Sequence, residues 1–204
     1  MSWFSRTPLD AARWVVVDCE TSGLDPGTDR LLSVAAVEVE HERIVASRAY
    51  SAVVRQEQPS AVDNILVHGL GASAQLGGRP PGDVLGELKA FIGDAIPVAF
   101  HAPFDKAILE RAFANAGMKA PRQRWLDLAE LAPALFADRK ANDLDSWLAS
   151  FGIECEARHD ALNDAYATAQ LLLVLLERAR QERVATVEAL LRLASSRRWL
   201  PRPH

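Results

Sequence analysis

The chain predicts an α/β fold, a mixed sheet with helices on both sides, and three observations carry that expectation. Segments rich in β-branched residues cluster before residue 55, where polarity alternates or the run is wholly apolar. Beyond residue 80, short apolar runs alternate with segments of helical period. Turn residues punctuate the joins. Strands first, then strands interleaved with helices, is the order of a mixed sheet covered on both faces.

Arg13–Asp18 reads as a strand buried on both faces, ending in the turn cluster Thr21-Ser22-Gly23-Leu24-Asp25-Pro26-Gly27. Leu31–Glu40 and Ile44–Val54 are the next two strands, joined by a hairpin at His41-Glu42-Arg43. Asp83–Ile92 puts Val84, Leu85, Leu88, Phe91 and Ile92 on one helical face. Ile96–Phe100 is a fourth strand, in which Pro97 suits the first residue or an edge better than the centre. Phe104–Ala116 reads as a helix closed by Gly117 as a left-handed cap, and Trp125-Leu126-Asp127 as a weak fifth strand. Short helices follow over Leu128–Phe136 and Leu144–Phe151. The longest helix runs from near Asp160 to Arg180, and another spans about Arg183–Ala194 before a basic tail. Trp147, Phe151 and the leucines from Leu171 are expected in the core.

A length of 204 residues suits one substantial domain with a short appendage: an extension over 1–12, the main domain over 13–180, and a helical segment with tail over 181–204. A hydrophobic content of 49% and charged content of 25% are those of an ordinary globular chain. The formal charge of −4 argues against gripping nucleic acid through a broad basic surface, yet allows a site that offsets its own acidity with divalent ions. Cys19 and Cys155 suggest no disulfide framework, and Cys19, inside an apolar run, is expected to be buried. No leader-like start and no apolar run of membrane length are seen, so the expected compartment is the cytoplasm, with no membrane partner. Oligomeric state has no signal here.

Asp18 and Glu20 lie two apart, so both carboxylates leave the same side of the first strand. Such a pair repels itself unless a divalent cation is shared. Acid-x-acid also occurs at Glu38/Glu40, Glu40/Glu42, Asp143/Asp145 and Glu154/Glu156, so spacing alone singles out nothing; the position of Asp18/Glu20, where a buried strand meets a turn, does. Asp105 stands at the step from the fourth strand into a helix, where the plain alternative is an acid favoured by the helix dipole. His159 falls on the loop before the long helix and Asp164 in its first turns; both are also common caps. Together, four acids and a histidine suit two-metal phosphodiester hydrolysis: oxygen ligands for Mg²⁺ or Mn²⁺, and a proton acceptor for the attacking water.

Asp18-Cys19-Glu20-Thr21-Ser22-Gly23-Leu24 resembles the first motif of the DnaQ-like (DEDDh) exonucleases, the group that contains the proofreading epsilon subunit of bacterial DNA polymerase III. His101-Ala102-Pro103-Phe104-Asp105 is similar to the second motif, with Ala102 where asparagine is usual, and His159–Ala165 to the third. The motifs span about residues 14–178. The resemblance implies a ribonuclease H-like fold with a five-stranded mixed sheet flanked by helices. It implies a 3′→5′ exonuclease in which Asp18, Glu20, Asp105 and Asp164 bind two Mg²⁺ ions, Mn²⁺ substituting, and His159 is the general base. Asp63-Asn64-Ile65-Leu66-Val67-His68-Gly69-Leu70 resembles the family's segment at the terminal nucleotide, so Asp63 and His68 are expected substrate contacts, with Thr21 and Leu24 lining the terminal sugar and base. The expected partner is a nucleic-acid 3′ end, DNA ahead of RNA, with a polymerase as a further candidate; no segment like the proofreading subunit's clamp-binding region is evident. The alternatives are an RNA-trimming enzyme of the same fold, a non-catalytic nucleic-acid-binding domain, and a helical metal phosphohydrolase built on His68, His101 and His159-Asp160.

Overall fold

The computed structural model describes residues 7–155 and 158–196. The sequence elements that fall outside them are the first half of the N-terminal extension, Glu156 and the basic tail with Arg197, Arg198 and Arg202. Strands β1 (Arg13–Thr21), β2 (Leu31–Glu40), β3 (Arg43–Val53), β4 (Ile96–Ala99) and β5 (Leu126–Asp127) form one sheet in the order β3-β2-β1-β4-β5. β1 pairs antiparallel with β2 and parallel with β4; β2–β3 is antiparallel and β4–β5 parallel. The expected mixed five-stranded sheet is therefore present. Helices are α1 (Val62–His68), α2 (Ala72–Leu76), α3 (Pro81–Ile92), α4 (Ala102–Asn115), α5 (Leu128–Leu135), α6 (Leu144–Ser150), α7 (Ala161–Gln181) and α8 (Val187–Ser196).

Alternation along β1 divides the core into two layers. Trp14 and Val16 point into a layer with α5, α6, α7 and α8, whereas Val15 and Val17 point into one with α3 and α4. The same period carries Asp18 and Glu20 toward the α7 side and Cys19 toward α4. A register shift between Glu20 and Thr21 then bends the strand end, a common device beside functional sites.

Most expected elements lie within a few residues of their predicted bounds, but five differences have physical causes. β1 continues to Thr21, because Asp18, Cys19 and Glu20 keep pairing with β2 despite their polarity. The hairpin loop is only His41-Glu42, both with positive φ (49° and 58°), and Arg43 already belongs to β3. Pro97 is the second residue of an internal strand; it is tolerated because β5 pairs only with Val98 and Ala99, leaving Pro97 without a neighbour on that side. α1 and α2 have no counterpart in the periodicity: Val62, Leu66, Val67 and Leu76 are exposed. The segment after residue 180 packs as core, since Val187, Leu190, Leu191 and Ala194 are buried with the α7 layer. Trp147 and Leu171 are buried as expected, with Phe151 partly buried against the same core. Among the described residues no helix is long and apolar enough to cross a membrane.

Candidate metal centre

The end of β1, the first turn of α4 and the first turn of α7 converge at one place. Asp18, Glu20 and Asp164 each offer a carboxylate oxygen, and these oxygens lie within 4.8 Å of one another. Asp164 is 4% exposed and Asp105 6% exposed, which is unusual for acids unless something compensates their charge. Asp105 stands outside that trio. Its carboxylate is hydrogen-bonded to the Cys19 thiol and lies close enough to Asp18 to repel it. Cys19 itself is half-buried rather than fully enclosed, a departure from the expectation for it.

Burial and mutual repulsion hold these groups toward their neutral forms. Burial, then Asp105, Asp164 and Glu20, push the Asp18 carboxyl well above the usual range, with Arg158 opposing. Glu20 is pushed up to about 8, by burial first and then by Asp164 and Asp160. Asp105 rises to about 7, chiefly through burial, although hydrogen bonds from Cys19 and the backbone oppose it. A dense, oxygen-only set of this kind fits hard divalent cations, whose charge removes the repulsion on binding.

These acids bind more protons in the folded chain than in the unfolded one between about pH 4.5 and pH 8, so stability falls as pH rises through that window. In EDTA the melting temperature should drop on the order of 5 °C from pH 5 to pH 8. Millimolar Mn²⁺ should reverse most of that drop at pH 8 and have little effect at pH 5. A melting temperature flat in pH and indifferent to Mn²⁺ would contradict this expectation.

His159 sits outside the helix, with φ of 62°, and its backbone N–H donates to Asp164 Oδ2 at 2.9 Å. Asp160 caps α7 by accepting from Asn163 N–H at 3.0 Å. His159 thus lies on the loop before α7 and Asp164 in its first turn, as expected, and a backbone hydrogen bond joins them. On α1, Asp63 is exposed in the first turn, while His68 is buried. His68 Nδ1 accepts from Leu70 N–H (2.9 Å), so its Nε2–H faces Asn64 Oδ1 (2.8 Å), and Asn64 Nδ2 donates to the Thr21 carbonyl (3.0 Å). Burial, with a smaller push from His159, lowers the His68 pKa and favours the neutral ring this relay requires. The relay fastens α1 to the bent end of β1. Thr21 is buried, its hydroxyl donating to the Gly23 carbonyl at 2.6 Å, and Leu24 is 91% exposed beyond it.

Sequence reasoning missed several contributors. Arg158 ion-pairs with both Asp164 and Asp145, placing a guanidinium among the acids. Its adjacency to His159 is the one available signal; thirteen residues separate it from Asp145. Cys155 Sγ lies 3.4 Å from Asp164 Oδ1. Asn64 lies in the Asp63–Leu70 segment, where the resemblance gives it no role. Asp127, expected only as a strand end, accepts from His101 N–H and Ala129 N–H, each at 3.1 Å. It fixes the left-handed His101 (φ 65°) that starts α4, beside Ala102, the residue that replaces the usual asparagine of the second motif. Members of the rival acid pairs have structural partners: Glu38 is buried against Arg13 and Arg48, and Asp143 caps α6, while Glu156 lies outside the described residues. His101 lies at the start of α4 and is exposed, not in a helix-borne ligand set with His68.

A family model described as Exonuclease (RNase_T) matches residues 15–172. The DNA polymerase III subunit epsilon-like protein of Rhodobacter capsulatus is 32% identical over 193 residues, covering 93% of this chain and 27% of that protein. The PolC-type DNA polymerase III of Halalkalibacterium halodurans is 32% identical over 169 residues, covering 82% of this chain and 12% of the relative. The chain therefore spans about a quarter or less of the length of these relatives. Among solved structures, E. coli exonuclease I in complex with a dT13 oligonucleotide aligns with a TM-score of 0.74 at 17% identity, over 85% of this chain and 43% of that one. Exonuclease X in complex with 5′-overhanging duplex DNA aligns with a TM-score of 0.69 at 22% identity, over 89% of this chain and 99% of that one. These two likenesses concern the fold.

Proposed function

Because the chain belongs to the exonuclease family, we propose that it is a 3′→5′ DNA exonuclease that hydrolyses the terminal phosphodiester bond and releases 5′-mononucleotides. The observation that carries this reading is the convergence of Asp18, Glu20 and Asp164 within 4.8 Å, with Asp105 beside them. Asp18, Glu20, Asp105 and Asp164 would hold two Mg²⁺ ions, for which Mn²⁺ substitutes. When bound, such ions neutralise the phosphate and the charge developing on the attacking and leaving oxygens.

The chain's own residues supply the rest. His159, on the loop and tied by its backbone to Asp164, takes the proton from the attacking water. Leu24 and Thr21 line the terminal base and sugar, and Asp63 reaches the terminal nucleotide from the open face of α1. His68, both ring nitrogens engaged, acts at the same nucleotide chiefly by holding α1 against Thr21. DNA is favoured because the relatives carry the names of DNA polymerase III proteins, which also makes a polymerase the candidate partner. The cytoplasm is the compartment in which such a substrate is met.

The test is degradation of matched DNA and RNA oligomers, labelled at the 5′ end, in Mg²⁺. A ladder shortening one nucleotide at a time on DNA, with RNA slower by at least about tenfold, is expected from discrimination near the 2′ position. Internal cleavage, shortening from the 5′ end, or faster loss of RNA would each reject the assignment.

A further inference from the structure

Next to the loop that follows β1, and lined by none of the acidic cluster, lies a cavity of about 390 Å³. Leu31, Leu85 and Ile108 give it apolar walls, and Arg30, Arg55 and Arg111 also line it, with no carboxylate among the lining residues. That charge balance differs from other clefts of the molecule, where Arg178 ion-pairs with Glu182 and Arg124 with Glu188. Among the described residues Arg30, Arg55 and Arg111 are in no ion pair, although Asp25 feels the charge of Arg111.

Each guanidinium is instead anchored on a main-chain carbonyl. Arg30 donates to Gln58 O at 2.7 Å, Arg55 to Gly78 O at 3.0 Å, and Arg111 to Gly27 O. One carbonyl bond fixes a guanidinium's direction and leaves most of its five N–H donors unspent. Three oriented forks of this kind around one hollow, in a chain of net charge −4, suit tetrahedral oxyanions.

The hollow is joined to the acidic site through two elements. Leu31 pairs with Thr21 at the end of β1, and Ser22 N–H donates to Arg30 O at 3.0 Å. Arg111 follows Asp105 on α4 by six residues, about 9 Å along the axis. Gly27, which holds Arg111, lies on the same loop as the exposed Leu24.

We propose that this arginine-rimmed cavity binds backbone phosphates of the nucleic-acid strand behind its 3′ terminus, setting affinity for long substrates. The inference rests on the exonuclease reading, and its ligand chemistry, a nucleotide phosphate, could also come from free mononucleotide. The full chain is compared with Arg111→Gln and with the double variant Arg30→Gln/Arg55→Gln, on a DNA 20-mer and on a dinucleotide with a free 5′-hydroxyl, whose single phosphate is the scissile one.

On the 20-mer, KM should rise about tenfold, and the salt dependence should flatten by about 0.7 logarithmic units for each phosphate no longer neutralised. On the dinucleotide, kcat/KM should stay within about twofold, and Arg→Lys versions, which keep the charge, should recover most of the 20-mer affinity. Equal losses on both substrates, or an unchanged 20-mer KM, would overturn the proposal. So would variants that relieve inhibition by added dTMP while binding the 20-mer normally, since the cavity would then serve free nucleotide. Should the wild-type chain degrade neither substrate, it is the exonuclease reading that fails.

Discussion

Asp164→Ala is expected to lower the rate of 3′-end degradation in Mg²⁺ by at least about 10³-fold, and Asp18→Ala by as much. Both carboxylates belong to the trio within 4.8 Å, so under the proposed function either change would leave a divalent ion without one of its few protein ligands. Unfolding is not the expected cause. Asp18 is destabilised where it stands, by burial and by three neighbouring acids, so its removal should leave melting in EDTA no lower than that of the wild type. Asp164 has more to lose, because it accepts from His159 N–H and pairs with Arg158. A melting curve therefore accompanies its variant, and Asp164→Asn, which keeps an acceptor, is the companion. Rates near wild type in a folded variant would remove the basis of the site.

His159→Ala should reduce kcat by about 10²–10⁴-fold, the range for loss of a general base, while Mn²⁺ still binds with wild-type stoichiometry in a calorimetric titration. The geometry separates the two effects. The His159 side chain is outside the carboxylate trio, and its link to Asp164 runs through the backbone N–H, which alanine retains. The left-handed φ of 62° costs alanine on the order of 1 kcal/mol. His159→Asn, which accepts that conformation more readily, provides the control. Loss of Mn²⁺ binding in both variants would make His159 a ligand; undiminished turnover in both would remove it from the reaction.

What could be read in the sequence was whatever is encoded locally. The continuous apolar, β-branched run from Trp14 to Val17 gave β1 as a strand buried on both faces, and the two-residue period of a strand put Asp18 and Glu20 on one side. The long α7 and the placement of Asp164 in its first turns followed from the leucine-rich helical segment that starts near Asp160. Helices α1 and α2 were invisible because they bury little apolar surface: Val62 and Leu66 face outward, and α1 is held by Asn64 and His68 instead. Arg158 and Asp127 were equally hidden. Their roles depend on partners brought together by the fold, Asp145 and Asp164 in one case, the N–H groups of His101 and Ala129 in the other. Convergence of Asp105 with Asp18 likewise rests on β1 and β4 lying side by side, a pairing that no local pattern encodes.

Asp127 gives the narrow margin of the sheet a significance beyond its two paired residues. A strand as short as β5 has little ladder of its own to hold it in register. One carboxylate there clasps the starts of two helices, and the first of them delivers Asp105. Slackness at that border would be passed along α4 as a misplaced Asp105 carboxylate, so a residue outside the acidic trio would influence how sharply the acids are aimed.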